Sequence, residues 1–267
     1  MDTFDLGART FLLHGEGGDY RLHLAVPDGA APAGGWPALY LLDAYGCFAT
    51  AVEAMRRMSR RPDATGAGPA LVAGITSASG HDVGRRELDF TSRSAGAPER
   101  GGGADRFLAL LERQVIPLVE KQAPADRHRR TLLGHSLGGY FALWALCRGS
   151  PAFQRYCAVS PSIWWDEALL HAAAPGLAGS DRHVELLMGE WEDRLPPWQA
   201  ARSDAGTVRA RRAARDMTGS ARAFAALLAG VLGPDRARFS VLAEEDHASI
   251  VSAAVPRALR LASRLTR

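Results

Sequence analysis

The stretch "RTLLGHSLGGY", Arg130 to Tyr140, decides how the rest of the chain is read. An apolar run ends at Gly134-His135-Ser136-Leu137-Gly138, and "FALWALC" (141–147) follows with helical character. A serine between glycines, where a strand turns straight into a helix, fits the G-x-S-x-G nucleophile elbow. The turn is too sharp for side chains near the serine, and its strained backbone pushes the hydroxyl up at the carboxyl edge of the sheet. The helix behind it aims N–H groups that lack helical partners at any oxyanion formed there. Ser136 is therefore the candidate nucleophile. The competing reading, a glycine-rich turn without chemistry, is weakened by the strand-turn-helix context and by the additional Gly139.

Working outward, apolar β-type runs alternate with longer amphipathic stretches. Residues 20–27 ("YRLHLAVP") alternate like a half-exposed strand, whereas 38–44 and 70–77 read as buried strands. Further strands are expected at 130–136, 156–162, 183–190 and 238–246. Helical patterning covers 48–58, 104–122, 137–147, about 207–232 and about 249–265. Strand, helix, strand repeated in this way implies right-handed crossovers and a mostly parallel sheet with helices on both faces, with an antiparallel hairpin at one edge. The fold class is α/β, and the elbow makes it the α/β-hydrolase fold. Loops are expected at 28–37, 94–104 and 192–206. One domain spanning 1–267 is expected, with a lid over about 192–215.

A hydroxyl nucleophile needs a base at neutral pH. In this fold the chain order is serine, acid, histidine, so the base follows the last strand. His247, in Asp246-His247-Ala248-Ser249, sits there and is the only histidine after position 183. His183 opens a strand and so lies at the wrong edge of the sheet; His135 is inside the elbow and is expected to support it. The acid should come from the loop after "HVELLMGE", where Glu192 is favoured by its distance past Gly189, with Glu190 and Asp193 as rivals. The oxyanion donors should be the backbone N–H of Leu137 and that of Ala44 or Tyr45, in the loop after "ALYLLD".

Composition leaves this reading undisturbed. The chain has 267 residues, 47% hydrophobic and 23% charged, values ordinary for a globular protein. Residues 1–30 lack the pattern of a secretory signal, and no run approaches the roughly 20 apolar residues of a spanning helix, so a cytoplasmic location and no membrane partner are expected. Cys47, Cys147 and Cys157 are odd in number and far apart, which suits reduced thiols. No metal-ligand spacing is present, and no cofactor or metal is expected. The net charge of +3 is mild, and Lys121 is the sole lysine among 32 basic residues. Without a recognition helix or ribonucleoprotein-type aromatic motif, nucleic-acid binding is not expected.

With these residues placed, the chain resembles the ferric enterobactin esterase type within the large esterase family of α/β-hydrolases. The resemblance covers nearly the whole length. It rests on "YLLDA", on Arg86-Glu87-Leu88-Asp89-Phe90-Thr91, and on "GHSLGGYFALWAL". It continues with Ser160-Pro161-Ser162-Ile163-Trp164-Trp165, Gly189-Glu190-Trp191-Glu192 and His247-Ala248-Ser249. It implies hydrolysis of the ester bonds of catecholate siderophores built on a triserine core, with Ser136 as nucleophile and His247 as base. Some members of the family work with a weak or absent acid partner. Two departures fall near where substrate shape would be read: Ser92 stands where the family often has proline, and Asp43-Ala44 where it commonly has Asp-Gly. In a chain of 267 residues, the separate N-terminal domain of some siderophore esterases is not expected.

A ferric tricatecholate is anionic, so Arg85, Arg86 and Arg194 are candidate contacts, with further arginines at 202, 209, 211, 212 and 215 crowding the expected lid. Trp164, Trp165 and Trp198 could stack on aromatic rings. The plainer alternative makes these arginines solvated, with Asp89 pairing Arg86, and buries the tryptophans in the core. Rival activities on the same scaffold are a carboxylesterase for feruloyl-type, acetyl or thioester substrates, an acyltransferase, or a binding protein without catalysis.

Overall fold

The computed structural model of the protein describes residues 6–93 and 100–264. Eight strands, β1 (Arg9–Gly15), β2 (Gly18–Ala25), β3 (Trp36–Leu42), β4 (Leu71–Ser77), β5 (Ala125–His135), β6 (Arg155–Val159), β7 (His183–Gly189) and β8 (Ala237–Leu242), form one sheet. Their order is β1-β2-β4-β3-β5-β6-β7-β8. The β1–β2 and β2–β4 pairs are antiparallel, and every later pair is parallel. This is the α/β-hydrolase fold, with the antiparallel hairpin at one edge.

Eleven α-helical segments follow in the described residues: α1 (Phe48–Ser59), α2 (Pro62–Thr65), α3 (Val83–Phe90), α4 (Ala104–Leu110), α5 (Ile116–Gln122), α6 (Leu137–Cys147), α7 (Glu167–Ala173), α8 (Pro197–Ala200), α9 (Ala205–Arg215), α10 (Met217–Leu232) and α11 (Ile250–Ser263). Strand side chains alternate between two cores. Ala38, Tyr40 and Leu42 of β3 pack with residues of α4 to α7 and α10, whereas Leu39 and Leu41 pack with α1 and α11. Because both faces are covered, the central strands read as unbroken apolar runs rather than alternating ones. Each fully buried Leu or Val in them is worth about 1.5–3 kcal/mol over exposure.

The structure departs from the sequence pattern at several points. The helix expected over 104–122 is divided by a π-helical turn, Leu111–Val115, just before Pro117, whose missing N–H cannot close an ordinary helical bond. The helix expected over 207–232 breaks at Asp216, which is left-handed (φ 39) and accepts from the N–H of Gly219, capping α10. β3 starts at Trp36 because the Trp36 N–H donates to the Pro124 carbonyl at 2.9 Å. The sequence pattern does not mark α2, α3, α7 or α8. Most of the loop expected at 94–104, and the last residue of the helix expected to reach 265, lie outside the described residues. Among the described residues no helix is long and apolar enough to cross a membrane.

The strand ends β3, β5, β6, β7 and β8 are parallel, so the residues that follow them, Asp43-Ala44, Ser136, Ser160, Glu190 to Glu192 and His247, gather along one carboxyl edge.

Candidate active site

Ser136 occupies the junction between β5 and α6 with φ 58 and ψ −118, a strained conformation for a residue with a side chain. Close approach dictates two of the surrounding glycines. A Cβ on Gly134 would meet the Gly138 carbonyl oxygen at 1.9 Å, and one on Gly139 would lie 3.0 Å from both Pro161 Cα and the Val159 oxygen. Gly138 has ordinary room, its nearest neighbour being Leu42 Cβ at 3.6 Å. The serine hydroxyl lies 3.3 Å from that of Ser162, and the Ser162 N–H donates to the Ser136 carbonyl at 3.0 Å. Leu137 begins α6, so its N–H has no acceptor within the helix.

His247 stands in the loop between β8 and α11. Its Nδ1 is 2.8 Å from Oε2 of Glu192. The other carboxylate oxygen, Oε1, accepts from the Ser160 hydroxyl and from the Gly189 N–H. Burial favours the neutral carboxyl, yet the bond and charge of His247, with the two further donors, together outweigh it and hold the Glu192 pKa below its usual value. The ionised carboxylate keeps the His247 proton on Nδ1 and leaves Nε2 as the acceptor. Of the three acids considered in this loop, Glu192 is the one that faces the histidine. Glu190 instead receives Arg194 and the Glu244 N–H, and Asp193 is exposed.

A contact that the sequence left as general support of the elbow joins the two halves of the site. His135 donates from Nε2 to the His247 carbonyl at 2.7 Å, and the two rings lie with centroids 4.7 Å apart. Burial, then the neighbouring His247, lower the His135 pKa to about 4, so it is neutral at physiological pH. No residue-type pattern marks this contact; it follows from β8 lying three strands from β5 and its loop folding back across the sheet edge.

The loop after β3 turns at Asp43 (φ 52) into a 3-10 segment, Ala44–Gly46. The methyl of buried Ala44 is accommodated by Gly74, where a Cβ would come within 2.5 Å of it. Arg86 donates from Nε to Asp43 at 2.7 Å and so fastens this loop rather than turning to a ligand. Arg85, adjacent on α3, is rotated about 100° away. It pairs with Asp89 at 2.6 Å and lies over the Tyr20 ring, facing the β1–β2 hairpin instead of the site. The Asp89 partner is thus Arg85, not Arg86. Tyr45 is exposed, its hydroxyl bonded to His81.

Above His247 lies a cavity of about 220 Å³ lined by Trp191, Met217 and the α9 residues Arg211, Arg212 and Arg215. Arg212 is engaged by the Trp191 and Arg194 carbonyls, both at 2.6 Å, which pins α9 over the preceding loop. No carboxylate of the described residues forms an ion pair with Arg211 or Arg215. The Arg215 guanidinium lies 5.3 Å from the centroid of exposed Trp164. Two expected contacts fall elsewhere. Trp165 is buried beneath the site, donating to the Ser92 carbonyl, and Arg194 is held by Glu190 at i, i+4. The Ser92 hydroxyl, where the family often has proline, meets that of Tyr140 at 2.7 Å. Trp198 stands edge-on to Trp191 with centroids 4.5 Å apart.

A family model described as "Putative esterase" matches residues 15–224, most of the chain. The chain belongs to this esterase family. The esterase is 34% identical to the ferri-bacillibactin esterase BesA of Bacillus subtilis over 91% of this chain and 84% of that one. It is 32% identical to the siderophore triacetylfusarinine C esterase of Aspergillus fumigatus, over 94% of this chain and 91% of the relative. Among solved structures, the siderophore hydrolase EstB from Aspergillus nidulans superposes with a TM-score of 0.86 at 25% identity, covering 99% of this esterase and 98% of EstB.

Proposed function

We propose that this esterase hydrolyses the ester bonds of a ferric siderophore of the catecholate, triserine-lactone class, through an acyl-enzyme on Ser136. Ser136 Oγ attacks the ester carbonyl carbon while Nε2 of His247 takes its proton. The N–H groups of Leu137 and Ala44 hold the resulting oxyanion. His247 then gives the proton to the departing serine hydroxyl of the substrate as the carbon–oxygen bond breaks. Water, deprotonated by the same histidine, attacks the acyl-enzyme and releases the acid and free Ser136. Glu192 keeps His247 in the tautomer this cycle needs and stabilises its charged form.

The observation that carries the reading is the juxtaposition of the Glu192–His247 pair with an arginine-lined cavity. The chemistry needs the first, and an anionic ferric catecholate, brought as substrate, would be attracted by Arg211 and Arg215. The relatives named for ferri-bacillibactin and triacetylfusarinine C support a siderophore ester as the substrate class. We read the chain as one catalytic domain, with α8 and α9 forming the wall or lid over the site.

The test compares ferric enterobactin, triacetylfusarinine C and p-nitrophenyl butyrate, with Ser136→Ala as control. Serine-dependent cleavage of the first with the small ester poor supports the proposal. Preference for triacetylfusarinine C removes the triserine-lactone class, and cleavage of the small ester alone removes the siderophore.

A further inference from the structure

At the end of the sheet opposite the catalytic edge, the face covered by α11 changes character. Along β6, β7 and β8 its carboxyl-end residues are Val159, Leu187 and Leu242, all in the core shared with α11. Two positions from these in each strand, and two again, the same face reaches Arg155, His183, Glu185 and Arg238, with Arg155 opposite His183 and Glu185 opposite Arg238 in the ladder. Over them α11 presents Arg257 and Arg260 from its last two turns, Arg264 follows as its C-cap, and Arg236 precedes β8. Together these line a cavity of about 620 Å³.

Six guanidinium groups thus meet two lining carboxylates, Glu185 and Asp235, an excess of four positive charges. No carboxylate of the described residues lies within ion-pair distance of any of the six. One nitrogen of Arg155, Nη1, is buried without a hydrogen-bond partner among the described residues. Burial, then the charge of Arg129, lower the Arg155 pKa against the opposing charges of Asp126 and Asp181, and burial with Arg155 and Arg236 lowers that of His183. The helix dipole accounts for a cation in the last turn of α11, but not for Arg155 and Arg238 on strands or for like charges at i, i+3 and i+4. Arg236 and Arg260 each donate to one backbone carbonyl, of Ser180 and Thr65, and Arg257 to that of Ala253. This leaves guanidinium N–H groups on all six for a multivalent oxyanion, since planar guanidinium forks pair bidentately with phosphate.

We infer that this basic cavity is a binding site for a compact diphosphate-type anion, separate from the esterase centre. α11 begins three residues after His247, and its second half, from Arg257 on, lines the cavity, so the two sites lie toward opposite ends of a helix about 20 Å long. The inference does not depend on the substrate assignment, because it concerns residues that the ester chemistry does not use.

Isothermal titration calorimetry at fixed ionic strength tests it with sodium pyrophosphate and with ADP. The wild type is expected to bind one equivalent. Arg238→Gln/Arg257→Gln should weaken binding by more than tenfold, while Arg211→Gln/Arg215→Gln in the catalytic cavity should leave it within about twofold. Tighter binding of ADP would assign the diphosphate to a nucleotide, and equal or weaker binding to the inorganic anion. The melting temperature of the unliganded Arg238→Gln/Arg257→Gln protein controls for folding, because both arginines also offset the burial of the Glu185 carboxylate. Absence of wild-type binding, or loss of binding in the catalytic-cavity variant instead of the Arg238→Gln/Arg257→Gln variant, would overturn the proposal.

Discussion

Replacing Glu192 by glutamine keeps its volume and removes its charge. In the wild type, Oε2 fixes the His247 proton on Nδ1, while Oε1 accepts from Ser160 and Gly189. A glutamine can satisfy Ser160 and Gly189 only by turning its oxygen toward them. Its NH₂ then faces Nδ1, which must become an acceptor, and the histidine proton moves to Nε2. That nitrogen can no longer take the proton of Ser136. In a serine protease triad the equivalent change costs about 10⁴ in kcat. The His247 side chain is 45% exposed, so solvent screens part of the lost charge. The expected loss is therefore roughly 10²–10⁴-fold in kcat, about 3–5 kcal/mol of transition-state stabilisation. Steady-state hydrolysis of p-nitrophenyl butyrate measures it, with the melting temperature as control for folding. Glu190→Gln and Asp193→Asn should stay within a few-fold of wild type. Activity of Glu192→Gln within threefold of wild type, or an equal loss in Glu190→Gln, would refute the reasoning. The same carboxyl has a folded pKa below its ordinary 4.5. Its contribution to stability is thus complete above about pH 5 and lost as pH falls through the folded value, so the stability gap between wild type and Glu192→Gln should narrow on acidification.

Other outcomes follow from neighbouring contacts. Arg86→Met strands the mostly buried Asp43 carboxylate, and should cost about 3–5 kcal/mol in chemical denaturation, most of it recovered by adding Asp43→Asn. His135, with a pKa lowered to about 4, is neutral when folded but protonates near 6.5 when unfolded, so it draws down stability as pH falls from 6.5 to 4, by up to about 3 kcal/mol. His135→Gln should accordingly lose less stability than wild type between pH 7 and pH 5, read from urea midpoints. Arg211→Gln/Arg215→Gln should raise KM for a ferric catecholate about tenfold and flatten its salt dependence, with p-nitrophenyl butyrate little changed. Gly134→Ala must displace the Gly138 carbonyl that its methyl would overlap, and should abolish labelling of Ser136 by a fluorophosphonate probe even where the protein still folds.

The sequence by itself determined the α/β-hydrolase fold, because apolar runs such as 38–44 and 70–77 read as strands buried on two faces and their spacing by helical stretches leaves little but a parallel sheet. It also singled out Ser136 and His247 as candidates, since a glycine-flanked serine and a histidine past the last strand are local signals. Contacts between segments remote in the chain were beyond it. Glu190, Glu192 and Asp193 lie within four consecutive positions, and only the packed 3-10 turn after Gly189 selects which carboxylate faces His247. Arg85 and Arg86 look equivalent in sequence, yet the helix beneath them sends one to Asp89 and the other to Asp43. The tryptophan pair separates in the same way, with Trp164 at the rim and Trp165 in the core. Each of these was decided by tertiary structure, because the direction of a side chain depends on the element that carries it and on what packs against that element, and neither is encoded in spacing along the chain.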